Sequence, residues 1–171
     1  WPGFTGFRCW VLGGDPTVDT FWQKSNGKYD LTKVNAIYRN RVKTVCNGLK
    51  DRFMFVILDL FDHYTMYNHD LWPDHPLNPN NNLQATYGLP LGSTAFPAFY
   101  DLERYPDLAQ FQKIYVQDIA RSLKTNAMVI FSTGNEMRDG DHEIRRKWHK
   151  QIAKWIKAAN PSALVTENDS N

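Results

Sequence analysis

One segment of the chain combines a buried strand pattern with a polar pair that could do acid–base chemistry. Residues 128–134 are rich in apolar and β-branched side chains, and the run stops abruptly at Asn135-Glu136. Such a run is typical of a strand buried in a parallel sheet. Where parallel strands alternate with helices around a barrel, catalytic side chains lie at the carboxyl ends of the strands. We therefore expect Glu136 to face a cleft beside Asn135, although a solvated helix start is the competing interpretation of an Asn-Glu pair.

A cation near the start of the chain needs a carboxylate partner if it points inward. Arg8 alternates with Trp10 and Leu12 on one face of a predicted strand. A lone buried charge is costly, so an inward-pointing Arg8 requires an ion pair. Asp59 and Glu136 are the candidate partners. The alternative is an arginine at a strand end that reaches solvent.

Four apolar segments alternate with amphipathic helical segments along the chain. This order predicts an α/β fold with parallel strands, right-handed crossovers and helices on one side of the sheet. Asp30 is the predicted cap of the first helix, and Asp139 or Asp141 caps the third. We find no repeat or linker, so residues 1–171 are predicted to form a single domain. The predicted strands are 7–12, 53–61, 127–134 and 163–166, and the predicted helices are 30–50, 106–123 and about 141–159.

Length, charge and cysteine content restrict the classes of protein to consider. The 171 residues suffice for one domain with a core, whereas a complete (β/α)8 barrel takes about 250. Lys and Arg number 20 against 18 Asp and Glu, without a basic run, so no nucleic-acid partner is expected. The absence of a long apolar run predicts no transmembrane helix. Cys9 and Cys46 are too few for a disulfide scaffold or a zinc site, and we expect packed free thiols.

Several motifs together resemble clan A glycoside hydrolases, which include the family 5 cellulases and mannanases. The similar segments are residues 6–10, 21–31, 56–62 and 75–81, together with the strand that ends at Asn135-Glu136. The resemblance implies that the chain is about half of a (β/α)8 TIM barrel, from its second to its fifth strand. It also implies that Glu136 is the general acid/base, that Asn135 binds the sugar 2-hydroxyl or the nucleophile, and that Arg8 supports the catalytic carboxylates.

The sequence departs from the family pattern at two places. Many family 5 members end the third strand with Asp-x-His, whereas this chain reads Asp59-Leu60-Phe61, so that sugar-binding His is either absent or replaced by His63. The family nucleophile is a Glu at the end of the seventh strand, and nothing in this chain corresponds to that strand. A retaining glycosidase needs two carboxyl groups about 5 Å apart. Only the acid/base of that pair, Glu136, is visible here, and its acid role requires a raised pKa.

The long segment from residue 62 to 105 is predicted to be a loop that forms one wall of a sugar-binding cleft. Its Asp/His neighbours at 62–63, 69–70 and 74–75 fit no metal-binding spacing, so we expect no metal ion. Aromatic rings of the loop would stack on sugars, and its polar side chains would bind hydroxyls. The alternative is an ordinary loop with its aromatic side chains packed beneath it. The side chains considered for the wall are Tyr64, Trp72, His63, His75 and Asn78.

Two functions remain open from the sequence. The first is a glycosidase that cleaves a β-linked polysaccharide by a retaining two-carboxylate mechanism without a cofactor, completed by a longer parent chain or by a second copy in a homodimer. The second is a non-catalytic carbohydrate-binding or self-assembling half-barrel. The resemblance favours a secreted protein, and the cysteines leave the compartment undecided. The residues assigned to substrate binding are Arg8, Trp10, Asp62, His63, Trp72 and His75.

Overall fold

The computed structural model describes residues 5–12, 20–67, 71–84 and 95–168. Strands and helices alternate along most of this length, with one antiparallel hairpin inserted after the first strand. A short 3-10 turn covers Trp72–Asp74. The strands are β1 (Gly6–Trp10), β2 (Trp22–Ser25), β3 (Lys28–Val34), β4 (Phe55–Asp59), β5 (Val129–Ser132) and β6 (Leu164–Thr166), and the helices are α1 (Ala36–Lys50), α2 (His63–Tyr67), α3 (Ala95–Tyr100), α4 (Pro106–Ser122) and α5 (His142–Ala159).

The central sheet contains four parallel strands in the order β1-β4-β5-β6. They are the four strands that the apolar segments predict, each one to several residues shorter than its segment. Strands that neighbour one another in this sheet follow one another along the chain once the hairpin is set aside. Connections between parallel neighbours therefore have to cross over the sheet, and the helices provide them. The carboxyl ends of all four strands meet at one edge.

The two faces of the sheet differ sharply in exposure. On the face covered by helices, Val56 and Leu58 of β4 are buried, as are Val129 and Phe131 of β5. The alternate positions form the other face, where several side chains are open to solvent but Asp59 and Ser132, at the strand ends, are buried. On that face Trp10 is 47%, Phe55 38% and Leu164 57% exposed. The period of two along each strand thus separates a packed outer face from an open inner face.

Helices α4 and α5 cover the packed face around a cluster of aromatic side chains. Trp148 of α5 is buried against Phe61, Phe99 and Tyr100, with ring centroids 5.3–5.4 Å apart. Its indole nitrogen donates a hydrogen bond of 2.7 Å to the side chain of Gln112 on α4. A buried indole N–H needs such a partner, so this bond also sets how α4 and α5 pack together.

The first helix begins later than predicted, because an antiparallel hairpin occupies residues 22–34. Asn26 and Gly27, with φ of 51° and 79°, form the two-residue turn between β2 and β3. An Asn-Gly pair is the strongest short-range indication of such a turn, and the helical interpretation overlooked it. The predicted cap, Asp30, lies in β3, where the hydrogen bond from the Thr32 side chain lowers its pKa. The side chain of Asn35 caps α1 instead.

The other predicted helix ends agree with the structure. Pro106 occupies the first turn of α4, where its missing N–H costs nothing. The side chain of Asp141 accepts a hydrogen bond from the Ile144 N–H and caps α5, which settles the choice between Asp139 and Asp141. The helix ends before Asn160-Pro161 as predicted.

Both cysteines are free thiols, as predicted. Cys46 is the one buried residue of α1, and Cys9 is partly buried on β1. Burial, with a smaller contribution from Cys9, raises the pKa of the Cys46 thiol to about 11. Such a thiol stays protonated at neutral pH and acts as a small apolar side chain in the core.

Tyr115 offers a test of how α4 is held against the sheet. Its buried hydroxyl donates a 2.6 Å hydrogen bond to the carbonyl of Leu60, just beyond β4, and its ring contacts Phe21 and Trp22 of the hairpin region. Tyr115→Phe should lower the free energy of unfolding by about 1–3 kcal/mol, because it leaves a buried carbonyl without its donor. Urea titration measures this change. Tyr64→Phe, at an exposed tyrosine, is the matched control, and equal effects of the two variants would contradict the assignment.

Candidate active site

An ion pair joins the first two strands of the central sheet near their carboxyl ends. Arg8 of β1 donates from Nε to Asp59 Oδ2 at 2.7 Å and from Nη2 to Asp59 Oδ1 at 3.2 Å. Asp59, at the end of β4, is fully buried, while Arg8 is partly open to solvent. The hydrogen bond with Asp59 raises the pKa of Arg8. The prediction that Arg8 pairs with Asp59 or Glu136 is therefore confirmed for Asp59.

The side chain of Asn135 extends this network to the third strand. Its Oδ1 accepts a 2.7 Å hydrogen bond from Arg8 Nη2 and a longer one, 3.3 Å, from Asn168 Nδ2. Its Nδ2 donates to Asp62 Oδ1 at 2.8 Å. Asn135 is therefore bound on one side by a cation and on the other by an anion. These contacts bring Arg8, Asp62 and Asn135, three of the residues selected from the sequence, into one cluster.

Backbone hydrogen bonds continue the strand pairing to the cluster itself. Asn135 N–H donates to the carbonyl of Phe61 at 2.8 Å, and His63 N–H donates to the carbonyl of Asn135 at 3.2 Å. Asp62 lies between Phe61 and His63 in the sequence, and its Oδ2 accepts a hydrogen bond from the Thr65 N–H. The segment after β4 and the segment after β5 are thus held side by side.

Glu136 follows β5 by four residues and has an unusual backbone conformation. Its φ of 48° lies in the left-handed region, which costs a non-glycine residue about 1–3 kcal/mol. The turn before it requires glycine at position 134, where an added Cβ would lie 2.5 Å from Met137 Cγ. The carboxylate is about half exposed and accepts a 2.8 Å hydrogen bond from Arg138 Nη2. Glu136 is therefore accessible at the carboxyl edge of the sheet, with an arginine already bound to it.

The loop that carries Glu136 is anchored from two helices. Tyr100, at the end of α3, donates a 2.8 Å hydrogen bond from its hydroxyl to the carbonyl of Arg138. Arg145, on α5, donates to the carbonyls of Asp139 and Gly140, each at 3.2 Å. Carbonyl groups in a turn lack strand or helix partners, and these side chains satisfy three of them. The anchors limit how far the backbone around Glu136 can shift.

His63 connects the loop after β4 to the same segment. Its Nε2 lies 2.9 Å from Asp139 Oδ2, and the imidazole is almost fully buried whereas the carboxylate is half exposed. His63 was selected from the sequence as a candidate sugar ligand. The structure places it beside the loop of Glu136, bound to an acidic side chain of that loop.

Trp72 and His75 lie inside the long loop. Their rings stack with centroids 5.3 Å apart, and both side chains are buried. His75 Nδ1 accepts a hydrogen bond from the Leu77 N–H, and Asn78 Nδ2 donates to the carbonyl of Trp72. Burial lowers the pKa of His75 to about 3, so the ring is neutral at physiological pH. This placement matches the alternative in which the loop packs over its own aromatic side chains, whereas Trp10 and Tyr64 remain exposed.

Three residues of this region were not selected from the sequence. Arg138 binds Glu136, Asp139 binds His63, and Tyr100 anchors the backbone between them. Arg138 and Asp139 come two and three residues after Glu136, but nothing in their spacing distinguishes them from solvated loop charges. Tyr100 lies more than thirty residues away along the chain. The charges of Arg138 and Asp139, close to Asn135-Glu136, are the one signal in the sequence that could have indicated a role for this loop.

The described residues contain neither a membrane-spanning helix nor a metal cluster. In the parts of the chain with known placement, no helix is long and apolar enough to cross a membrane. No group of three or more His, Cys, Asp or Glu side chains in those parts is arranged to hold a metal ion. Of the three Asp/His neighbours considered in the sequence, the pair at 69–70 lies outside the described residues.

Comparison with known proteins relates the chain to one enzyme family. A family model described as Cellulase (glycosyl hydrolase family 5) matches residues 3–169. A search of curated proteins found no match. A glycoside hydrolase family 5 enzyme from Prevotella bryantii B14 aligns with a TM-score of 0.59 and 15% identity, over 96% of this chain and 41% of that one.

A second solved structure shows the same relationship. Endo-glycoceramidase II from Rhodococcus sp., in a cellobiose-like imidazole complex, aligns with a TM-score of 0.59 and 17% identity, over 86% of this chain and 38% of that one. The chain therefore spans about two fifths of the length of these structures. At such identities the likeness concerns the fold, and the predicted partial (β/α)8 barrel is confirmed.

The ion pair between Arg8 and Asp59 makes a measurable contribution to stability. Arg8→Met should lower the free energy of unfolding by about 2 kcal/mol, because it leaves a fully buried carboxylate without its cation while water partly screens the exposed side of the pair. Adding Asp59→Asn to the same variant should recover part of the loss. Arg146→Met, which removes an exposed ion pair with Glu143, is the control and should cause no measurable change. A loss in Arg8→Met no larger than in the control would contradict the assignment.

His75 should make the stability of the fold depend on pH. Its pKa of about 3 in the folded state lies below the ordinary 6.5. As the pH falls below about 6.5, His75 becomes protonated in the unfolded chain but stays neutral in the folded one. The free energy of unfolding therefore decreases between about pH 6.5 and 3, by at most about 1.4 kcal/mol per pH unit. His75→Asn keeps an acceptor for the Leu77 N–H and should flatten this decline. Denaturant midpoints measured across the range, with His142→Asn as an exposed control, test it; unchanged slopes in His75→Asn would refute it.

Proposed function

Because the chain belongs to the cellulase family, glycosyl hydrolase family 5, we propose that it supplies part of the active site of an endo-glycosidase that cleaves a β-linked polysaccharide. The observation that carries the proposal is the position of Asn135-Glu136 at the carboxyl edge of the parallel sheet. There Asn135 contacts Arg8 and Asp62, from the ends of two neighbouring strands. In barrels of this architecture that edge is where catalysis takes place.

Glu136 has the role of general acid and base in this proposal. In a retaining mechanism it donates a proton to the leaving glycosidic oxygen while a second carboxylate attacks the sugar and forms a covalent intermediate. It then removes a proton from the water that hydrolyses the intermediate. Because Arg138 is bound to this carboxylate, substrate binding has to separate Glu136 from Arg138 before the first proton transfer. The exposure of both side chains leaves them free to separate.

The second carboxylate of the mechanism is proposed to come from outside the described residues. Three acidic side chains of this region already have a partner. Asp59 is held by Arg8, Asp62 by Asn135, and Asp139 lies against His63. The nucleophile would then belong to further strands of a longer chain or to a second copy of this one.

Substrate contacts are proposed mainly for the exposed side chains around this edge. Trp10, at the end of β1, presents about half of its surface, and an aromatic ring of this kind can pack on the apolar face of a sugar. Tyr64, on α2, is similarly exposed. The exposed part of Arg8 lies beside Trp10, because the Arg8 Cζ is 6.0 Å from the centroid of the Trp10 ring. Trp72 and His75 would act indirectly, by giving the loop its shape.

A second candidate function is a non-catalytic half-barrel that binds carbohydrate or assembles with itself. Two observations favour it. The carboxylate of Glu136 is already bound by Arg138, and the inner face of the sheet is open, with β1 and β6 as edge strands in the described sheet. Edge strands present unpaired N–H and C=O groups that another chain can use. Two copies could then supply four strands each to one eight-stranded barrel.

Substitution of Glu136 separates the two functions. Glu136→Gln should reduce hydrolysis of β-glucan or β-mannan at least about 10²-fold, because a positioned acid/base is typically worth 10²–10⁴. The release of reducing ends measures the rate, and light scattering on the same samples reports the assembly state. Glu143→Gln, which changes an exposed glutamate of α5, is the matched control and should remain fully active.

Each outcome of that experiment has a definite meaning. Turnover by Glu136→Gln equal to that of the control would remove Glu136 from the acid/base role. A wild-type chain that binds the polysaccharide without cleaving it, as a monomer or as a dimer, would support the non-catalytic candidate for the chain by itself.

A further inference from the structure

The hydrogen bonds of Asn135 leave this side chain with a single unused position. A side-chain amide has two N–H donors and an oxygen that accepts two hydrogen bonds. The oxygen of Asn135 accepts from Arg8 and from Asn168, and one N–H donates to Asp62. Among the described residues, the second N–H of Asn135 therefore has no partner. The free position is a donor.

The charges on either side of Asn135 determine which way its amide faces. A guanidinium can only donate and a carboxylate can only accept, so the amide oxygen has to face Arg8 and the nitrogen has to face Asp62. The flipped amide would place N–H groups against Arg8 and the oxygen against Asp62, losing two charge-assisted hydrogen bonds. Arg8 therefore holds the oxygen side of the amide and Asp62 holds its nitrogen side.

Asp62 is itself held firmly in place. It is almost fully buried, and its second carboxylate oxygen accepts a hydrogen bond from the Thr65 N–H at 3.1 Å. The Thr65 hydroxyl donates to the backbone carbonyl of Asp62, also at 3.1 Å. A side chain buried in this way has little surface to offer to a sugar. Its geometry suits a residue that acts on its neighbour.

We propose that Asp62 is a positioning residue that makes Asn135 a donor, and not an acceptor, towards a bound glycan. The free N–H of Asn135 is then the group that would make the sugar-hydroxyl contact already implied by the family resemblance. This inference rests on the proposed function for the identity of the ligand, but the orientation of the amide does not depend on it. It replaces direct sugar binding, the role selected for Asp62 from the sequence, by control of Asn135.

The orientation can be measured by NMR without any catalytic activity. In a chain labelled with ¹⁵N at asparagine, the Asn135 side-chain signals are identified by their loss in Asn135→Asp. In the wild type the two amide protons should differ strongly in chemical shift, with the proton bound to Asp62 downfield. Asp62→Ala should abolish that difference, whereas Asp62→Asn, which keeps an acceptor oxygen, should retain much of it. Asn168→Ala is the matched control and should leave both protons nearly unchanged.

Two results of this measurement would overturn the proposal. One is an amide shift difference in Asp62→Ala equal to that of the wild type while the remaining spectrum shows a folded chain. The other is loss of the difference in Asn168→Ala with retention in Asp62→Ala. If Asp62→Ala does not fold, the comparison of Asp62→Asn with the wild type decides, since complete loss of the downfield shift there would contradict a role based on an acceptor oxygen.

Titration with cellotetraose or mannotetraose tests the second part. Binding should shift the upfield amide proton of Asn135, the one not bound to Asp62, much more than the other. Asp62→Ala should raise the dissociation constant about fivefold, as expected for the loss of one net hydrogen bond. Shifts at neighbouring residues with neither Asn135 proton affected would overturn the donor role. If no signal in the chain moves, the proposed function fails for this chain, and the amide measurement still decides the role of Asp62.

Discussion

The need of one buried carboxylate for a cation organises the candidate site. Asp59 ends β4 with no contact with solvent, and leaving it unpaired would be costly. Arg8 neutralises it from β1, and the same guanidinium reaches Asn135 beyond β5. One cation thus connects the ends of three neighbouring strands. Because bidentate arginine–carboxylate pairs have a specific geometry, the pair of Arg8 and Asp59 fixes the ends of β1 and β4 relative to each other.

A second set of contacts transmits this order to the loop that carries Glu136. The segments after β4 and β5 are joined by backbone hydrogen bonds around Asn135 and by the contact between His63 and Asp139. Glu136 keeps its strained φ beside these contacts. Strain of this kind is retained where the surroundings over-determine a conformation, which is common at functional sites. The backbone around Glu136 is therefore anchored, whereas its carboxylate is exposed and bound by Arg138.

Helices cover one face of the sheet and leave the other face open. Helices α4 and α5 pack aromatic and aliphatic side chains against the outer face. The inner face keeps Trp10, Phe55 and Leu164 in contact with solvent. In a complete barrel such positions pack against one another in layers. The candidate site lies at the rim of this open face, so whatever covers the face also borders the site.

Much of this arrangement could be read from the sequence, because it depends on local periodicity and on the cost of isolated charges. Alternating and helical patterns predicted the four parallel strands and the cores of the helices α1, α4 and α5. The Asn135-Glu136 pair, together with other motifs, indicated the family and the edge of the sheet that carries the candidate site. The requirement for a counter-ion predicted the partner of Arg8.

Other features were decided only by tertiary structure. The Asn26-Gly27 turn and the packing of the hairpin prevailed over a helical pattern after Asp30. Trp72 and His75 are buried beneath their own loop, and Arg138 and Asp62 have roles that their spacing does not reveal. The physical reason is that a strand or helix reflects neighbours along the chain, whereas the burial of a loop side chain and the orientation of an amide depend on groups that only folding brings together.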